Sequence, residues 1–126
     1  MTITINLKQN TKTVKFGDYG TFTVRPMGAG EELELTRLQR EMAEMGENLQ
    51  NMDEYKEAEK NGDKEKVAEG MAKLREMTAK AQEAKAKQIE IFKACVTAKD
   101  QASVDRLFNE NSLEDLAKAI RGALDA

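Results

Sequence analysis

The rhythm of apolar residues between Glu31 and Lys99 constrains this chain more than any other feature. Leu35, Leu38, Met42, Met45, Leu49 and Met52 recur at alternating spacings of three and four, the a/d seam of a heptad helix. After Asn61-Gly62-Asp63 a looser stripe follows through Val67, Met71, Leu74, Met77, Ala81, Ala84, Gln88, Ile91 and Cys95. An Asn-Gly-Asp break stops one helix and caps the next, so the two segments are expected to fold back on each other as a helical hairpin over 31–99. The first helix should end between Leu49 and Lys60, with Gly46 and Asn48 as weak points. The second should run from about Lys64 to Lys99, roughly 50 Å at 1.5 Å per residue.

The ends of the chain read differently. Ile3, Ile5 and Leu7 alternate with Thr2, Thr4 and Asn6, the period of a short strand with one buried face. Val14 and Phe16, then Gly17-Asp18-Tyr19-Gly20, then Phe22 and Val24 describe a β-hairpin around a glycine-bounded turn. A lone hairpin is marginal in water, so helices must cover that apolar face, and the cluster Ile89, Ile91, Phe92, Cys95 and Val96 is placed to do so. Gly28-Ala29-Gly30 is a joint into the first helix, which opens with Glu31, Glu32 and Glu34 where negative charge complements the helix dipole. Past Asp100–Ser103, Ser103 or Asp105 can cap a short helix bearing Val104, Leu107 and Phe108. Ser112 with Asp115 then opens a terminal amphipathic helix whose stripe is Leu113, Leu116, Ala117, Ile120 and Leu124. The expected fold is α+β and mostly α. It is a single domain over 1–126, with a β-rich part at 1–27, the helical hairpin at 31–99 and C-terminal helices at 103–125.

Charge is unevenly spread. Residues 1–30 carry four Lys/Arg against one acid, residues 31–60 four against ten, residues 61–100 nine against seven, and residues 101–126 three against five. An acidic first helix beside a mildly basic second one favours pairing of the two over self-pairing of the first. The basic residues are interleaved with acids and the few aromatics are not spaced as stacking platforms, so nucleic acid is not an expected partner. No apolar run approaches the roughly 20 residues that span a bilayer, and Met1–Leu7 lacks the continuous apolar block of a secretion signal. A cytoplasmic protein without a membrane partner is expected.

Catalysis finds little to work with. The chain has no histidine and one cysteine, Cys95, which lies on an apolar stripe and should pack as a small hydrophobe. Acid pairs such as Glu31/Glu32 and Glu114/Asp115 fall at helix starts, where capping explains them. Asn61-Gly62-Asp63 is too short for a carboxylate metal loop, and Gly28-Ala29-Gly30 lacks the lysine of a phosphate loop. No catalytic residue, cofactor or metal site is therefore expected. The methionines stand out instead: Met42, Met45, Met52, Met71 and Met77 all fall on or near the hairpin stripes, and methionine adapts to varied apolar surfaces.

A β-hairpin ending in Phe22-Thr23-Val24-Arg25-Pro26-Met27, a Gly-Ala-Gly joint into the acidic Glu31-Glu32-Leu33-Glu34-Leu35, a charged helical middle and a final Ser112-Leu113-Glu114-Asp115-Leu116 helix resemble one family in layout. It is the tail assembly chaperones of long-tailed bacteriophages and related prophages. The resemblance implies a non-enzymatic helper that coats the tape-measure protein until tail-tube subunits polymerise around it, with the tail-tube protein as a second candidate partner. It implies absence from the finished particle, and often a frameshifted longer form. The helical middle is longer here than that layout requires. A tape-measure helix could lie against Leu35, Leu38, Met42, Met45, Leu49 and Met52, or against Leu113, Leu116 and Ile120. The alternative from another class is a structural coiled-coil module of a phage particle or another cytoplasmic complex, in which the same seam pairs between copies as a homo-oligomer.

Overall fold

Alternation decides where the sheet forms. Val14 and Phe22 stand opposite each other in the antiparallel pair β1 (Lys12–Lys15) and β2 (Thr21–Val24), joined by a 3-10 turn over Gly17–Tyr19. Gly17 and Gly20 take φ of +48° and +108°, which a side chain would strain, and that is why the turn is bounded by glycines. The computed structural model describes residues 1–5, 10–50 and 52–126, and the backbone alone at Gln50. Its helices are α1 (Ala29–Gln50), α2 (Asp53–Asn61), α3 (Lys64–Ala94), α4 (Gln101–Glu110) and α5 (Leu113–Asp125). The fold is thus α+β, mostly α, with a small antiparallel sheet.

The chain forms two compact units, Met1–Glu31 with Ile89–Ala126, and Glu32–Gln88. The first unit holds the larger core. Phe22 and Val24 of β2 are buried together with Phe92, Cys95 and Val96, and with Val104, Leu107 and Phe108 of α4 and Leu113, Leu116 and Ile120 of α5. Phe16 meets Phe22 edge to face at 5.5 Å between centroids, and the guanidinium groups of Arg106 and Arg121 lie over the rings of Tyr19 and Phe92. Side-chain caps start both C-terminal helices. The Asp100 carboxylate accepts from the Ala102 N–H at 3.0 Å, and the Ser112 hydroxyl from the Asp115 N–H at 3.2 Å. The cap of α4 is therefore Asp100, not Ser103 or Asp105, because the helix begins one turn earlier than the apolar residues alone suggest.

Two expectations about strands need correction. Met1–Ile5 lies in no strand, with Ile3 and Ile5 78% and 76% exposed, while Leu7 falls outside the described residues. The third strand is instead β3 (Val96–Thr97), which pairs with β2 through Thr23↔Thr97 and Val24↔Val96. The second long helix accordingly stops at Ala94 and not near Lys99. The Cys95 N–H turns back onto the Phe92 carbonyl, and the Cys95 carbonyl accepts from the Arg25 N–H at 2.9 Å, which draws the chain out of the helix and into the sheet.

Within the second unit, α1 and α3 run antiparallel. Leu38 lies near Ala84 and Lys87, Met45 near Met77 and Ala81, and Leu49 near Met71 and Leu74. The first long segment is two helices and not one: α1 ends at Gln50 and α2 starts at Asp53, with the Met52 N–H on the Leu49 carbonyl and the Tyr55 N–H on the Met52 carbonyl. Gly46 stays helical. The predicted turn at Asn61-Gly62-Asp63 is present: Gly62 is left-handed at φ +74°, its N–H reaches the Glu59 carbonyl, and the Asp63 N–H reaches the Ala58 carbonyl. This pairing satisfies the open carbonyls at the end of α2. The Asp63 carboxylate then accepts from the Lys66 N–H at 3.2 Å and starts α3.

Candidate functional site

The two sides of the α1–α3 pair differ in chemistry. On one side, the cleft between the helices is bordered by Arg37, Glu41 and Glu44 of α1 and by Lys80, Glu83 and Lys87 of α3. On the other, a trough is lined by Met42, Met45 and Leu49 facing Met77, Thr78 and Ala81. From Leu49 the trough continues past Met52 and Tyr55 along Val67, Met71 and Leu74. Measured along α3 from Val67 to Lys85, its length is about 27 Å at 1.5 Å per residue, five helical turns.

The trough is built by a size mismatch. Toward the Gln88 end the long Met42 and Met45 of α1 meet the small Ala81 and Ala84 of α3, while beside Leu49 the α3 residues are Met71 and Leu74. Leu35 and Leu38 are buried, and Met42 and Met45 only half so. Farther along, Leu49, Met71 and Leu74 are 46%, 52% and 44% exposed, more than an apolar side chain engaged in a closed seam would be. Gln88 is the polar exception. Its buried side-chain amide donates to the Met42 sulfur at 3.3 Å, which fixes one methionine at the closed end of the trough.

Charges along these helices pair mostly within a helix. Arg37 bridges Glu34 and Glu41, Lys80 meets Glu76 at 3.2 Å and Lys87 meets Glu83 at 3.5 Å. The Arg37 guanidinium, with a smaller contribution from Lys87, holds the Glu34 carboxyl below its usual range. The trough side is lined mostly by apolar side chains, with Lys56, Glu59, Gln82 and Lys85 along it, and its far end is closed by a tight crossing of α2 on α3. Tyr55 packs on Gly70, and the Lys73 ammonium lies 5.3 Å from the centre of its ring. Sequence periodicity did not single out Tyr55 or Gly70. The available signal was a glycine inside an otherwise good helix.

Of the residues expected to contact a partner, Met42, Met45, Leu49 and Met52 line the trough, while Leu35 and Leu38 are buried in the helix pair. Leu113, Leu116 and Ile120 belong to the core of the first unit and present no free face while that core is closed. The acid pairs at helix starts have structural duties. Glu31 accepts from both Arg25 terminal nitrogens, at 2.7 and 3.1 Å, and from the Gly28 N–H at 2.9 Å. The guanidinium beside it and the Gly28 N–H hold its carboxyl below the ordinary value. Cys95 is buried, and burial pushes its thiol up, away from the thiolate that a nucleophile needs. Among the described residues no group of three or more acidic, cysteine or histidine side chains is placed to hold a metal, and no helix is long and apolar enough to cross a membrane. Compared with known proteins, the chain matches no family model, no curated sequence and no solved structure.

Proposed function

We propose that this protein is a non-enzymatic assembly helper of the host cytoplasm that shields an apolar helical segment of another protein in the α1–α3 trough. The reading follows the tail assembly chaperones that the sequence resembles, with the tape-measure protein as client. The observation that carries it is the half-covered run of Met42, Met45, Leu49, Met71 and Leu74 on one side of an otherwise charged helix pair. A helix laid in such a trough buries its apolar face at i, i+3, i+4 and i+7 positions, and methionine lets one surface accept many such faces. Charged side chains of both signs on the reverse side, Arg37, Glu41, Lys80 and Glu83 among them, keep that side in water.

Co-expression with a tape-measure fragment tests the proposal. The fragment should stay soluble with the unaltered protein and precipitate with the variant Met42→Asp/Met45→Asp, whereas Glu44→Gln on the charged side should leave the effect intact. Retained solubility with the double Asp variant would exclude the trough as the client surface.

The second reading is an oligomerising module, favoured by the acidic balance of residues 31–60 against the basic balance of 61–100, which would let α1 of one copy lie beside α3 of another. An oligomer that Met71→Asp/Leu74→Asp dissolves would support this reading over the helper.

A further inference from the structure

Easily oxidised side chains are gathered in one place in this protein. The chain has no histidine or tryptophan, and its one cysteine, Cys95, is buried in the core of the first unit at 2% exposure. Of its seven methionines, Met42, Met45 and Met77 line one half of the trough, and Met52 and Met71 the other. Met71 is the most open of these five, 52% exposed, whereas the other four are half-buried. A peroxide arriving from water therefore meets a trough sulfur before it meets the thiol, the reverse of the order expected where a sensing cysteine is accessible.

We propose that the trough is an oxidation-sensitive surface, switched from apolar to polar when hydrogen peroxide converts Met71 to its sulfoxide. The thioether sulfur attacks one peroxide oxygen and the O–O bond breaks. That oxygen stays on sulfur, its proton passes to the departing hydroxide, and water leaves; sulfur is oxidised by two electrons and the peroxide is reduced by two. Met71 stands beside Leu49, Val67 and Leu74. The new S–O dipole binds water in the open trough and must give it up under an apolar helix, which weakens the binding of such a helix by about tenfold or more. Met42 is different, because its sulfur already accepts the Gln88 amide at 3.3 Å, and an oxygen added there has that donor at hand. Methionine sulfoxide reductases remove the oxygen again, so the change is reversible. The consequence for a client rests on the helper reading above, whereas the site of oxidation rests on exposure alone.

Limited hydrogen peroxide treatment of the full chain, followed by peptide mapping, should oxidise Met71 ahead of Met42, Met45, Met52 and Met77 and leave Cys95 a free thiol; the exposed Met1, outside the trough, marks the dose. With helical circular dichroism unchanged, the oxidised protein should bind a tape-measure fragment about tenfold or more weakly than untreated protein, and sulfoxide reductase should restore the affinity. Met71→Gln, polar and of similar length, should weaken binding without peroxide. In Met71→Leu, whatever its starting affinity, the same dose should no longer change it. Met71 oxidised no faster than the half-buried methionines, or an oxidised protein that binds the fragment as tightly as before, would overturn the switch. A fragment that untreated protein fails to bind overturns the helper reading instead, and the order of oxidation then decides the inference by itself.

Discussion

Tyr55 packs so closely on Gly70 that a β-carbon there would lie 2.7 Å from the ring, at Cγ, and 2.9 Å from the tyrosine's own Cβ. Only glycine permits this approach, and the backbone of α3 is the surface on which α2 rests. Gly70→Ala should therefore destabilise the protein by about 1–3 kcal/mol despite the better helix propensity of alanine. Gly46, with nothing near its missing β-carbon, should respond in the opposite sense, with Gly46→Ala stabilising by about 0.5–1 kcal/mol. Thermal denaturation of the two variants, side by side, checks the contrast.

Leu33 and Leu38 are both leucines of α1, but one is 74% exposed and the other 1%. Leu38→Ala should cost about 2–5 kcal/mol through lost burial and the cavity left behind. Leu33→Ala should stay within about 0.5 kcal/mol of the parent. Urea midpoints at constant m-value would show it.

The caps of the two C-terminal helices should each contribute about 1 kcal/mol, because each satisfies an amide that would otherwise be open. Asp100→Ala and Ser112→Ala are expected to lower the melting temperature separately, and hydrogen exchange should quicken first at the starts of α4 and α5.

Acid should loosen the joint between β2 and α1. The Glu31 carboxyl is held below its ordinary 4.5 by Arg25 and by the Gly28 N–H, so the folded state favours the ionised form. Its stabilisation is complete above the unfolded-state value and fades as pH falls through the lower folded-state value. A melting-temperature profile from pH 7 to pH 3 should drop less steeply below about 4.5 for Glu31→Gln than for the parent, with Glu31→Gln the less stable of the two at pH 7.

What the sequence disclosed is what repeats or punctuates. Val14, Phe16, Phe22 and Val24 about two glycines were enough to place the hairpin, Gly62 to place the turn, and Ser112 to place the start of α5. A two-residue strand has no period, so Val96–Thr97 was invisible, whereas the clear alternation of Ile3 and Ile5 pointed to a strand where the structure has none. The break between α1 and α2 was signalled only by Asp53 and Glu54 beginning a new first turn, a weaker mark than Gly46, which the helix simply passes through. The heptad seam identified the trough residues but not its openness. That depends on which residue of α3 faces each methionine, and register between two helices is set by packing, not by the spacing on either one.

The first unit draws on both ends of the chain, and this has a consequence during synthesis. When the ribosome has made β1 and β2, their apolar face must wait, because Phe92, Val96 and the helices that cover it are still to be translated after some sixty intervening residues. Residues 32–88, a compact unit of their own, stand in the sequence between the two halves of that core, so the core cannot close until they have been made.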